Sequence, residues 1–185
     1  IDRSFLAPGM SMTKTATGLV IGHLLCSGQI RSLDDPLGNY STTLAQTVYA
    51  DVTIKNTLQM ARGINAPTTD EKPLLRKLMN RGYEGQNDQR EALLALDGST
   101  VNQGKVSVYH SLDSIALGIL VAEVTDVSLS QVFYEEIYSN IGADNVMSWW
   151  MDRRGNSLAF GGLRMTPRDW ARLGQYMIDQ IRQDS

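Results

Sequence analysis

The sequence predicts a mainly helical domain with only a minor strand component, and three observations carry that prediction. Apolar residues recur at helical spacing in long stretches that begin at Ser11, Ser111 and Ser128. Helix punctuation stands at the ends of such stretches: Pro8-Gly9 and Gly28 around the first, Gly142 after another, and Thr166-Pro167 at a further helix start. The 185 residues are 42% apolar and 20% charged, which allows one domain with a real core.

Each element follows from local pattern. Ser11 to Ser27 places apolar residues at 12, 16, 19, 20 and 24, and Gly28 sits where a left-handed cap would close the helix. Leu33-Asp34-Asp35-Pro36 is a turn, because Pro36 biases Asp35 away from helix. Thr53 opens a second helix, with Ile54, Leu58 and Ala61 on one face and Gly63 stopping it. Residues 65–105 are the polar third, with short helices expected around Leu74 to Met79 and Gln89 to Leu96. Ser111 to Val124 repeats apolar residues at 112, 115, 116, 119 and 120, a long buried helix. Ser128-Leu129-Ser130-Gln131 has capping-box spacing and opens a helix through Val132, Phe133 and Ile137, closed by Gly142. Val146 to Trp150 reads as a strand, and Asp152-Arg153-Arg154-Gly155-Asn156 as a solvated polar turn. Thr166-Pro167-Arg168-Asp169 starts a last helix, its charged pair serving capping and a structural ion pair. No repeat or linker divides residues 1–185, so they are treated as one unit.

Composition excludes several function classes. Seventeen Lys and Arg against twenty Asp and Glu give a formal charge of −3 and no basic footprint for nucleic acid. The chain has no run of eighteen apolar residues, hence no expected membrane span. One cysteine, Cys26, cannot form an internal disulfide or a Cys-based zinc site, and two histidines, His23 and His110, are too few for most His-rich metal sites. Ile1 is not an initiator and no signal-peptide pattern precedes it, so the chain reads as a piece of a longer one.

Among residues able to do chemistry, Ser11-Met12-Thr13-Lys14 stands out. A serine hydroxyl is a poor nucleophile until a nearby base takes its proton. Residues three apart on a helix share one face, so Lys14 can fold back to the Ser11 hydroxyl. A lysine serves as base only in its uncharged form, which requires burial or a cationic neighbour. The same spacing also fits an N-cap serine followed by a solvated lysine. Against that, it occurs once in the chain, follows a Pro-Gly break and opens an apolar helix. His23 lies about 18 Å further along that helix and cannot be the base. Nothing local brings His110 to Ser11.

These residues resemble a known superfamily. Ser11-x-x-Lys14, Gly28-Gln29-Ile30, Leu33-Asp34-Asp35-Pro36 and Val52 to Met60 are similar to the serine β-lactamases and penicillin-binding proteins. Within it the chain looks most like class C β-lactamase-like serine hydrolases. Tyr109-His110-Ser111 before a buried helix resembles that superfamily's Tyr-x-Asn or Tyr-x-Ser motif. Phe160 to Thr166, Arg168-Asp169 and Ala171 to Gly174 resemble a segment of the nylon-oligomer hydrolases and related esterases.

The resemblance implies an α+β, β-lactamase/transpeptidase-like fold. This chain would form mainly its α-helical lobe, with most of the antiparallel sheet outside the sequence. It implies Ser11 as nucleophile, Lys14 as its base and Tyr109 as proton shuttle to the leaving group, with no metal and no cofactor. The Ser11 backbone N–H would form half of an oxyanion hole. Tyr138-Ser139-Asn140 fits the tyrosine motif better by letter but falls at an ordinary helix end, so Tyr109 is preferred. Position 111 is Ser where class C enzymes carry Asn, which favours an esterase or amidase over a β-lactamase. Ser111, Trp149 and Trp150 are the implied substrate contacts, for a small ester or linear amide. A β-lactamase or DD-peptidase, and a non-catalytic ligand-binding homologue, are the alternatives. The superfamily's Lys- or His-x-Gly motif does not occur in residues 1–185. An extracytoplasmic location is expected from the resemblance.

Overall fold

Helix α1 (Thr13–Cys26) and helix α4 (Ser111–Thr125) pack side by side at the centre of the fold. The computed structural model describes residues 4–65, 88–143 and 146–183. Helix α1 buries Ala16, Val20 and Leu24 of the apolar positions expected, and Ile21 besides, together with two polar ones, Thr13 and Thr17, while Leu19 is half-buried and Met12 lies exposed before the helix begins. Its end is closed by Gly28 in the left-handed region, φ +79°, as the sequence predicts. Every residue of α4 from Ser111 to Val121 is buried, and Asp126 at φ +59° turns the chain out of it.

Helix α2 (Ile54–Leu58) starts at Thr53, whose hydroxyl accepts from the Asn56 N–H. It stops earlier than Gly63. Met60 adopts φ +53° and the Ala61 N–H reaches back to the Asn56 carbonyl at 2.7 Å, a cap made without glycine. Helix α5 (Leu129–Glu136) is capped by Ser128, which accepts from the Gln131 N–H. The Gln131 amide nitrogen donates to Glu135 Oε1 at 3.0 Å, one turn further along the helix.

Strand pairing is sparse in the described residues. β1 (Ala7–Pro8) pairs antiparallel with β4 (Arg164–Met165), Ala7 opposite Met165 and Pro8 opposite Arg164. β2 (Ile64–Asn65) pairs with β3 (Ser99–Thr100). The strand expected over Val146 to Trp150 is reduced to one bridge, Ser148 against Arg164. Beyond it the Trp150 N–H still reaches the Gly162 carbonyl at 3.3 Å, where Gly162 holds φ +88° and a side chain would strike Trp150. The last helix, α6 (Pro167–Gln183), begins at Thr166, which accepts from the Asp169 N–H. The ion pair at its start joins Asp169 to Arg172 at 2.7 Å, while Arg168 is exposed. The helix expected around Leu74 to Met79 lies outside the described residues. That around Gln89 is helix α3 (Gln89–Leu94).

The polar turn at Asp152 to Asn156 is present, and its tip, Arg153 to Gly155, is exposed as expected, whereas Asp152 and Asn156 at its base are buried. Asp152 is buried and accepts from the main-chain N–H groups of Gln89, Arg154 and Asn156. Arg153 and Arg154 both pair with Asp88, the N-cap of α3, whose side chain is fully buried. Sequence pattern missed this because the partners lie more than sixty positions apart.

Two carboxylates, Asp88 and Glu123, are expected to contribute to acid stability. Burial pushes the Asp88 carboxyl up, but the Arg154 bond and two backbone N–H donors outweigh it and the net shift is downward. Burial likewise opposes ionisation of Glu123, and the Thr43 and Ser41 hydroxyls with Arg90 reverse it. A carboxyl held below its unfolded value stabilises the fold above about pH 4, and loses that contribution as pH falls through the lowered value. Asp88→Asn with Glu123→Gln is therefore expected to flatten the acid limb of Tm against pH. An acid limb of unchanged slope would rule out these two groups as its source.

Candidate active site

The site is assembled where β1 hands the chain to α1. Gly9 continues the β1–β4 pairing, its N–H donating to the Leu163 carbonyl at 2.9 Å. The Trp170 indole donates to the Ala7 carbonyl at 3.2 Å and fills the space beside Gly9. Met10 then takes φ +48°, a left-handed conformation that is costly for a residue with a side chain. It launches a tight 3-10 turn, Met10–Met12, that runs straight into α1. Ser11 sits exposed at the middle of that turn, two residues before the α-helix proper.

Helix α1 is docked by polar contacts on a loop that returns beside it, Ala159 to Leu163. The Thr17 hydroxyl donates to the Ala159 carbonyl at 2.9 Å, and the Leu163 N–H donates to the Thr13 hydroxyl at 3.4 Å. Between them Lys14 donates to the Phe160 carbonyl at 3.0 Å. This fixes the lysine amine from one side while leaving its other side to Ser11, whose Oγ lies 3.2 Å away.

Tyr109 arrives from the segment that precedes α4. Its phenol is 2.8 Å from Ser11 Oγ, and the Lys14 ammonium or amine nitrogen stands 5.0 Å from the centre of its ring. Ser11 Oγ therefore has two titratable partners within hydrogen-bond reach, one a nitrogen base and one a phenol. Either can take the serine proton when in its unprotonated form, and the other can then deliver a proton to a departing group.

Tyr138, the alternative in the sequence, stands elsewhere. It is buried against Phe133, and its hydroxyl donates to Asp169 at 3.2 Å. Burial and the Asp169 charge both push its ionisation well above the ordinary phenol range. Ser111 is buried at the first position of α4. Trp150 packs on Gly162, two residues from the carbonyl that holds Lys14. Trp149 is engaged with the core: its indole donates to the Leu158 carbonyl at 3.0 Å and meets the Phe133 ring edge-on at 5.6 Å. His23 pairs with Glu136 at 3.5 Å on the far part of α1.

Sequence reasoning missed two parts of this arrangement. The Phe160 carbonyl carries no side-chain signature. The other is a buried cluster in which Arg62 donates to Asp113 at 2.7 Å and to the Tyr49 hydroxyl at 2.9 Å. Asp113 signalled its presence: it is a carboxylate in the first turn of a helix whose apolar repeat marks it as buried, and such a charge requires a cation nearby.

Ser11 in the turn, Lys14 on the helix and Tyr109 from a distant segment thus meet at one oxygen, and comparison with known proteins covers nearly the whole chain. The Beta-lactamase family profile matches residues 6–184, and the chain belongs to that family. Among curated relatives, the 6-aminohexanoate-dimer hydrolase of Paenarthrobacter ureafaciens is 27% identical over 188 residues, covering 96% of this chain and 46% of the relative. Solved structures share the β-lactamase/transpeptidase-like fold. A Bacillus anthracis protein provisionally assigned as a 6-aminohexanoate-dimer hydrolase superposes with a TM-score of 0.80 at 24% identity, over 96% of this chain and 49% of its own. A penicillin-binding protein from Bacillus halodurans gives 0.72 at 17% identity, over 96% and 62%. The chain thus spans about half the length of both 6-aminohexanoate-dimer hydrolase relatives.

Proposed function

We propose that this chain carries the nucleophile, base and proton shuttle of a serine acyl-hydrolase acting on a small ester or linear amide. The observation that supports the reading most directly is the meeting of the Tyr109 phenol and the Lys14 amine on one oxygen, Ser11 Oγ, at 2.8 and 3.2 Å. Ser11 Oγ attacks the substrate carbonyl while its proton passes to the uncharged Lys14 amine or to the Tyr109 phenolate. Collapse of the tetrahedral adduct breaks the bond to the leaving alcohol or amine, which takes a proton from Tyr109, and leaves an acyl-Ser11 ester. Water, deprotonated by the same groups, attacks that ester, releases the acid and restores Ser11.

Ser111 and Trp150 are assigned as substrate contacts, Trp150 fitting better than Trp149, which is committed to Phe133 and Leu158. The name of the Paenarthrobacter ureafaciens relative supports a linear amide among the substrates. In the whole protein, a fluorophosphonate probe is expected to label Ser11, and short p-nitrophenyl esters to be turned over without hydrolysis of a chromogenic cephalosporin. Efficient cephalosporin turnover would replace the reading with a β-lactamase. Neither labelling nor turnover would leave a ligand-binding homologue, and labelling that persists in Ser11→Ala would remove Ser11 as nucleophile.

A further inference from the structure

We propose that Arg62 and Asp113 are positioning residues for this reaction: a buried pair that fixes Tyr109 on Ser11 by tying together the two segments between which Tyr109 hangs. The inference rests on the acyl-hydrolase reading above. Residues 104–109 are exposed, so Tyr109 is not held by a core of its own. Its approach is fastened to the stretch after α2, the Val108 N–H donating to the Met60 carbonyl at 2.8 Å and the Ser107 hydroxyl to the Gln59 carbonyl at 3.0 Å. Met60 holds a left-handed φ of +53°. A non-glycine residue persists there only where its surroundings determine the backbone.

The pair supplies that determination. Arg62 is two residues beyond Met60, and Asp113 is four residues beyond Tyr109, in the first turn of α4. The Arg62 guanidinium donates to Asp113 Oδ1 at 2.7 Å, and the Tyr49 hydroxyl donates to the same oxygen at 2.7 Å. The Asp113 side chain is 1% exposed and that of Arg62 15%. Asp113 Oδ2 is buried and has no hydrogen-bond partner among the described residues. Burial pushes the Asp113 carboxyl up despite the Arg62 charge, so the cluster carries a desolvation cost. Apolar residues of the same volume would hold a lobe together at less cost. What they lack is direction, and direction is what a phenol aimed at one oxygen requires.

The test is a double-mutant cycle on ester hydrolysis and on the rate of fluorophosphonate labelling of Ser11 in the whole protein. Arg62→Lys keeps the cation and loses the planar fork. It is expected to lower kcat about tenfold to hundredfold, since small misplacements of a reacting group cost that much, with KM nearly unchanged. In a Tyr109→Phe background the same substitution is expected to change kcat less than about twofold, because the group it positions has gone. Asp113→Asn, of the same shape, is expected to repeat the pattern and serves if Arg62→Lys does not fold. Equal losses in both backgrounds, or an unchanged kcat in both single variants, would overturn the proposal. Full activity of Ser11→Ala would overturn the underlying reading of the site instead.

Discussion

Lys14→Arg is expected to lower kcat for ester hydrolysis on the order of 10²- to 10⁴-fold, the range general-base catalysis contributes, although it preserves the positive charge. The two side chains differ in the property the reaction needs. An amine that loses its proton presents a lone pair, and Lys14 is held so that its nitrogen faces Ser11 Oγ at 3.2 Å with the Phe160 carbonyl behind it. A guanidinium stays protonated at any working pH and offers only donors. If Lys14 served only as a fixed cation beside a developing oxyanion, arginine would retain most of the rate. Comparison of kcat for Lys14→Arg and Lys14→Met decides between these roles: equal, near-complete losses indicate a base, and a much milder loss for arginine sinks that assignment. Labelling of Ser11 by a fluorophosphonate should slow in parallel, since it uses the same nucleophile.

Gly9→Ala is expected to cost about 1–3 kcal/mol of stability, as over-packing generally does, and to lower kcat on the order of tenfold or more through the displaced turn. The backbone at Gly9 is ordinary, φ −75°, so conformation is not the reason. Space is. A Cβ at this position would lie 2.1 Å from Trp170 Cζ2, 2.4 Å from Cη2 and 3.2 Å from the Leu163 carbonyl oxygen. The indole cannot simply swing aside without losing its bond to the Ala7 carbonyl. The alternative is movement of the strand end, two residues before Ser11. Adding Trp170→Leu opens the space and is expected to restore part of the lost kcat. A Gly9→Ala protein with unaltered Tm and kcat would show that the contact is absorbed without consequence.

The features legible in the sequence were those fixed by neighbours a few residues apart. Ser11 and Lys14 are related by one helical turn, and the long helices show their stripes, caps and closing glycine directly. The caps at Thr53, Ser128 and Thr166 stand where side-chain oxygens precede helical pattern. What could not be read depends on partners remote in the chain. The α2 stop belongs to Met60, in a conformation its residue type disfavours, and its carbonyl accepts from the Val108 N–H, nearly fifty residues away. Asp152 reads as solvated because Gln89, whose N–H bonds its buried carboxylate, is some sixty residues away, as is Asp88, on which the exposed Arg153 and Arg154 pair. The tyrosine motif gave two candidates, and only distance to Ser11 Oγ against a bond to Asp169 separates Tyr109 from Tyr138.

Lys14 takes its bearing from a peptide oxygen, that of Phe160, and not from a side chain. Any codon at position 160 that preserves the path of the loop also preserves that acceptor. Replacement of the Phe160 side chain with the loop path kept is thus expected to leave the anchoring of Lys14 intact.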